Sequence, residues 1–331
     1  MNNILLLSGI LLLISLGLTY LIRHFALRHK ILDIPNERSS HTIPTPRGGG
    51  LAIVLTWYIG ISILYYFNYL DRSLFFALIS GILLAGVSIV DDLFNIPPAI
   101  RLSFQTITSI IAFAFLKGIE PVSILGFEID SLFFLYPVVV IGIVWFINLY
   151  NFLDGIDGYA SVEALFISSA MYLITGDNLF LFLITPVIGF LFWNWPKAKI
   201  FMGDIGSTQL GFILIVLGIY FHNSSDLSII HWLMLSSLFW FDATLTLFRR
   251  WKNKERVTIA HRKHAYQRAV QSGLSHLQTI ILSVLINLII VVLVIISRSY
   301  DFLVIPFFTV NLLFLYGITK LIDRKVPFAK S

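Results

Sequence analysis

The sequence predicts an all-α, polytopic integral membrane protein, one domain over residues 1–331 with about 10–11 transmembrane helices and its working loops in the cytoplasm. Three observations carry that prediction. Charged residues are only 12% of the chain, against about 25% in a soluble domain. Hydrophobic residues reach 57%, with a mean hydropathy of +0.87. Apolar runs of about 20 residues, the length that crosses a bilayer as helix, recur from end to end.

Those runs place helices at 4–22, 50–67, 74–90, 102–116, 132–149, 159–175, 179–194, 208–221, 229–248, 277–297 and 302–319. The runs at 179–194 and 208–221 are short for a full crossing. No basic residue precedes the first run and no small-x-small cleavage site follows it. It ends instead in Arg23, Arg28 and Lys30, which predicts a transmembrane helix with its N-terminus outside rather than a signal peptide.

Of the 23 Lys and Arg, 20 fall in the loops 23–49 and 249–276, at Arg101, at Lys197 and Lys199, and in 320–331. Only Arg72, Lys117 and Arg298 fall on the other side. The positive-inside rule assigns the basic loops to the cytoplasm. The net charge of +5 is thus explained by topology and calls for no nucleic acid. The absence of cysteine excludes disulfides and thiolate metal sites.

Every polar cluster sits in the inner loops. In "SIVDDLFNIPPAIRLSFQ" (88–105), Asp91 and Asp92 close an apolar helix, an end where the helix dipole disfavours acids. A divalent cation explains the pair better than two solvated side chains do. In "INLYNFLDGIDGYA" (147–160), Asn148, Asn151, Asp154 and Asp157 recur every third residue. On an unbroken helix each step of three loses about 60°, so the four cooperate only if Gly155 and Gly158 bend the chain. Carboxylate and carboxamide oxygens of this kind suit a Mg²⁺-phosphate site. "FMGDIGSTQLG" (201–211) puts Asp204 between two glycines just before an apolar helix, as a turn and cap or as a metal ligand.

Two basic stretches accompany these acids. "HRKHAYQRA" (261–269) carries His261, Arg262, His264 and Arg268. Neighbouring cations and the lack of nearby acids argue against zinc there and for phosphate recognition. "ERSSHTIPTPRGGG" (37–50) adds His41, Arg47 and a run of glycines, either a flexible entry to the second helix or a further anion contact. Metal plus phosphates at one membrane face is the economical interpretation. A transporter would put polar groups inside its helices near the midplane, and the helices read as nearly clean.

In order and topology these phrases resemble the polyprenyl-phosphate N-acetylhexosamine-1-phosphate transferases, over roughly residues 35–270. That superfamily includes the phospho-MurNAc-pentapeptide translocase and the enzymes that initiate O-antigen and related glycans. The resemblance implies a bacterial inner-membrane enzyme that passes a sugar 1-phosphate from a UDP-N-acetylhexosamine to undecaprenyl phosphate and releases UMP. It implies Mg²⁺, with Mn²⁺ as a substitute, held by Asp204 and helped by Asp91. It further implies catalytic roles for Asp91, Asp92, Asp154 and Asp157. Substrate contacts are implied from Asn148, Asn151, His261, Arg262, His264 and Arg268, with Arg101 and Arg47 beside them.

Two departures matter. The peptidoglycan enzymes carry consecutive histidines where this chain reads His-Arg-Lys-His, which favours the glycan-initiating branch and donors such as GlcNAc, FucNAc or QuiNAc. The family's lysine after the aspartate pair is absent, leaving Arg101 as the nearby cation. The runner-up enzyme pattern, that of CDP-alcohol phosphotransferases, fails because Asp154-Gly155 is followed by Ile156 and Asp157. Membrane lipid is a partner by composition, and a homodimer is left open.

Overall fold

The computed structural model describes residues 2–35, 43–94, 96–124, 127–129, 132–224, 227–257, 259 and 261–328; His41 lies outside them. About 76% of the described residues are helical. Among the described residues, strand is confined to two antiparallel hairpins. These are β1 (Leu32–Asp33) with β2 (Thr45–Pro46), and β3 (Val122–Ile124) with β4 (Phe127–Ile129).

The helices in chain order are α1 (Asn2–Arg28), α2 (Gly50–Tyr66), α3 (Arg72–Ile79), α4 (Gly81–Phe94), α5 (Pro98–Phe115), α6 (Leu132–Phe152) and α7 (Tyr159–Thr175). They continue as α8 (Leu179–Asn194), α9 (Asp204–Asn223), α10 (Ile229–Leu235), α11 (Ser237–Lys252), α12 (Ala265–Gln271), α13 (His276–Ser297) and α14 (Val304–Lys325). Among the described residues, seven stretches are long and apolar enough to cross a membrane, α3 and α4 counting as one. The pair α10–α11 makes one bent span, and α2, α7 and α8 are shorter apolar helices. Each of the eleven apolar runs thus has its helix.

α9 is the axis of the bundle, packed against α6, α4 and α2. In its most apolar window 89% of the residues are buried, against 17% for α14. A helix apolar on every side is stable only with protein or lipid all round, and α9 has protein. Close approach is bought by small residues: a Cβ on Gly218 would lie 2.6 Å from the Trp232 indole. Gly50 of α2 and Gly206 of α9 touch through their backbones, since a Cβ on Gly50 would fall 2.3 Å from the Gly206 Cα.

Three expectations change. The run 229–248 is not one straight helix: it breaks at Ser236 and turns by 78° between α10 and α11. The run 208–221 starts earlier, so Asp204 belongs to the first turn of α9. The helices are also not clean of polar groups. Glu163 in α7 is 2% exposed and accepts a 2.6 Å hydrogen bond from Asn287 Nδ2 of α13, while Asp242 of α11 and Gln209 of α9 are likewise buried. These residues are spaced singly among apolar neighbours, so composition conceals them.

Candidate active site

One end of the bundle collects the ends of α4, α6 and α11, the starts of α5, α9 and α13, and the whole of α12. Local sequence sets each boundary. Pro97 and Pro98 open α5 right after the α4 carboxylates, proline being compatible with the first helical turn. Gly203, at φ +75°, opens α9, and its hydrogen faces Asp92: a Cβ there would lie 2.9 Å from Asp92 Oδ2.

Asp92 caps α9. Its Oδ1 accepts from the Asp204 N–H and its Oδ2 from the Ile205 N–H, both at 3.2 Å. A carboxylate at a helix N-terminus satisfies free donors and meets the positive end of the dipole. Arg47 donates to the Asp92 backbone carbonyl, tying the glycine run to the same corner. Asp91, 6% exposed, accepts from the Ile96 N–H at 2.9 Å and pairs with Arg101 Nη1 at 2.7 Å. The same Arg101 nitrogen stands 3.5 Å from Asp204 Oδ2. Arg101 therefore bridges the aspartate pair to the aspartate of α9.

The Asn/Asp run divides at the end of α6. Its helix stops at Phe152, and Gly158 in the left-handed region turns the chain into α7, the bend that the spacing demanded. Asn151 Oδ1 accepts from Ser207 Oγ of α9 at 2.7 Å. Asp154 is half-buried in the loop, and no hydrogen bond reaches its carboxylate among the described residues. Burial pushes its carboxyl well up from the usual range, and Asp204, Asp92 and Asp157 push it further. Asp157 faces elsewhere: its Oδ2 accepts from the Ala198 N–H at 3.2 Å and lies 3.1 Å from His276 Nδ1.

Two of the residues expected to contact substrate are engaged within the protein. Asn148 forms a reciprocal amide pair with Gln105, donating to Oε1 at 2.6 Å and accepting from Nε2 at 3.3 Å, and donates to the Val144 carbonyl at 2.7 Å. Its hydrogen-bonding capacity goes into fastening α6 to α5. Arg268 is 0% exposed and paired with Asp323 of α14. A guanidinium so enclosed and paired stabilises the loop.

His261 and His264 do come together, with ring centroids 4.8 Å apart. Burial lowers both imidazoles to about 3, helped for His261 by His264 and for both by Arg250. Both rings are neutral at physiological pH; His261 Nδ1 accepts from the Lys263 N–H at 3.3 Å, leaving its other nitrogen as a donor, and His264 is 2% exposed. Arg262 is half-buried beside them, its carbonyl accepting from Gln271 Nε2 at 2.8 Å. Asp242 anchors this loop from α11, accepting from the Ala265 N–H at 2.8 Å and the Tyr266 N–H at 3.4 Å. Tyr266 joins the two halves of the site: its hydroxyl donates to the Phe152 carbonyl at 3.1 Å and sits where a Gly155 side chain would be.

Sequence reasoning missed Asp242, Tyr266, His276 and Gln105. Only "HAYQRA" drew attention to Tyr266, as part of a phrase; a lone Asp or Gln within an apolar helix carries no local signal of its partner.

Among the described residues, no three His, Asp or Glu side chains form a closed metal cage. Mg²⁺ does not require one, because it commonly takes one or two carboxylates and completes its shell with water and substrate phosphate. Asp204 and Asp154 are hard oxygen donors that repel each other across a half-buried corner, with Arg101 beside only one of them. That donor set fits Mg²⁺.

Comparison with known proteins identifies the chain's relatives. A family model described as glycosyl transferase family 4 matches residues 74–222, the stretch from α3 through α9. A probable undecaprenyl-phosphate N-acetylglucosaminyl 1-phosphate transferase of Bacillus subtilis (strain 168) is 30% identical over 300 residues, covering 87% of this chain and 83% of that protein. An undecaprenyl-phosphate alpha-N-acetylglucosaminyl 1-phosphate transferase of Thermotoga maritima is 35% identical over 210 residues, 63% of each chain. A phospho-N-acetylmuramoyl-pentapeptide-transferase of Streptococcus pneumoniae (strain Hungary19A-6) is 28% identical over 207 residues, 56% of this chain and 62% of that one.

Proposed function

The chain belongs to glycosyl transferase family 4, and from that premise we propose that it transfers an N-acetylhexosamine 1-phosphate from a UDP-sugar to undecaprenyl phosphate, releasing UMP. The observation that carries the proposal is the convergence of four aspartates from three elements, Asp91 and Asp92 of α4, Asp154 of the α6–α7 loop and Asp204 of α9, with Arg101 between two of them. We place the reaction at the cytoplasmic face of a bacterial inner membrane, as an opening step of O-antigen or a related envelope glycan. The polyprenyl tail stays in hydrocarbon, so only groups at helix ends can meet its phosphate.

Both reactants are anions, and the chemical task is charge neutralisation and alignment. Mg²⁺, held by Asp204 with Asp154, would neutralise the donor diphosphate and activate it as an electrophile. Arg101 is placed to steady Asp91 and Asp204 and to meet the acceptor phosphate. Neutral His261, with Arg262 and with the buried His264 packed behind it, would orient the far end of the donor through directional hydrogen bonds. Asp92 keeps the start of α9 in place.

No base is needed. A phosphate monoester has a second pKa of about 6 and is mostly dianionic near neutrality. UMP likewise leaves as a stable anion, so the acceptor phosphate displaces it directly. Exchange of labelled UMP into the UDP-sugar without acceptor would indicate a covalent enzyme intermediate instead.

The test is purified protein with undecaprenyl phosphate and a panel of UDP-HexNAc donors, UDP-MurNAc-pentapeptide included, with lipid products identified by mass. UMP release is expected to require Mg²⁺ or Mn²⁺ and to fall at least about 100-fold in Asp204→Ala. Undiminished product from that variant, or indifference to chelator, overturns the metal assignment. The His-Arg-Lys-His loop leads us to expect an aminosugar donor and no transfer of the pentapeptide.

A further inference from the structure

Arg249, Lys263 and Arg268 come from three elements, α11, the histidine loop and α12, and all turn toward the end of α14. Arg249 holds Asp323 in a two-pronged pair, Nη1 to Oδ1 at 3.1 Å and Nη2 to Oδ2 at 2.9 Å. Arg268 Nη1 donates to the same carboxylate and to the Val326 carbonyl at 3.2 Å, while its Nε donates to the Lys263 carbonyl at 3.0 Å. One guanidinium thus stitches the backbone of the histidine loop to the segment after α14. The Phe328 ring lies 4.0 Å from Arg249 Cζ, 5.4 Å from Lys263 Nζ and 5.4 Å from Arg268 Cζ, within cation–π range of all three. On its other side Lys263 is pinned by Glu255 at 3.0 Å, which also pairs with Arg250 at 3.1 Å.

We infer that Asp323 and Phe328 are positioning residues for donor binding: a clasp at the end of α14 that fixes Arg249, Lys263 and Arg268 and so sets where His261 and His264 stand. The inference rests on the transferase reading above. Neither residue touches the acidic cluster among its described contacts, so the direct contacts of the clasp lie in the histidine half of the site. It also gives the buried cation Arg268 its purpose, since a buried guanidinium must be paired to be tolerated.

Asp323→Asn and Phe328→Leu in the full chain test it, with UDP-GlcNAc as donor and undecaprenyl phosphate as acceptor. The donor KM is expected to rise about tenfold in each, the change that one lost charge-assisted contact permits. Little change is expected in kcat or in the acceptor KM, and Phe328→Tyr, which keeps the ring, should behave as the parent. An equal loss of kcat with the donor KM unmoved overturns the clasp, as does a Phe328→Leu variant that matches the parent. If Asp323→Asn does not fold, Phe328→Leu decides. Should the parent transfer nothing, the transferase reading fails, but tryptic cleavage within 249–268 still judges the clasp. Faster cutting in the variants supports it, and equal cutting sinks it.

Discussion

Asp154 bears the largest electrostatic burden of the residues in the loop between α6 and α7. Burial and three neighbouring carboxylates disfavour its charged form, and no donor reaches it among the described residues. The folded chain therefore holds its proton more tightly than the unfolded chain, where a carboxyl titrates near about 3.9. The resulting cost is absent below that pH and grows as pH rises through the folded value. Asp154→Asn removes it. In chelator, the thermal midpoint of that variant should equal the parent's at acid pH and exceed it by a few degrees, on the order of 1 kcal/mol, near neutrality. Turnover with Mg²⁺ should meanwhile collapse. A variant less stable than its parent at neutral pH would show that the carboxylate is not under repulsion.

At the scale of elements, the start of α9 is the part on which the site is built. Asp92 caps it, Asn151 holds Ser207 in its first turn, and α2 presses against it at Gly50 and Gly206. The glycine run at 48–50 is a packed joint: the Gly49 and Gly50 N–H groups donate to the Phe201 and Met202 carbonyls at 2.9 and 2.8 Å. A methyl at Gly50 would meet backbone on two sides, at 2.3 Å from Gly206 Cα and 2.9 Å from the Met202 carbonyl oxygen. Gly50→Ala is expected to cost about 1–3 kcal/mol by forcing α2 and α9 apart. Because Asp204 moves with α9, the concentration of Mg²⁺ for half-maximal rate should rise as well. Gly48→Ala meets no atom within 4 Å but stands at φ +90°, so it should cost stability through backbone strain alone.

At the scale of the whole molecule, alternating helix directions bring every reactive segment to one end of the bundle. The proposed donor, a charged UDP-sugar, does not cross a bilayer, and one-sided access is the expectation. In vesicles of uniform orientation, donor added outside should be consumed only when the basic loops face outward, and the same vesicles should lose 249–268 to added trypsin. Turnover in both orientations would contradict the single-face site. The sequence's assignment of 20 of its 23 Lys and Arg to loops of one side is the compositional trace of this asymmetry.

The apolar runs located each span because spanning a bilayer leaves a helix no choice but to be apolar over about 20 residues. The Asp91–Asp92 pair, the bend at Gly158 and the aspartate that opens α9 were legible for a related reason: charge at the end of an apolar run stands out locally. What folding alone decided was partnership. Nothing near Asn148 in the chain indicates that its amide belongs to Gln105, and nothing near Arg268 points to Asp323, 55 residues on. The same holds for Asp242 beneath α12, Glu163 against Asn287 and the break at Ser236. A span is fixed by the solvent around it, which each residue meets directly. A hydrogen bond across the bundle depends on which helices become neighbours, and that is a property of the packed molecule.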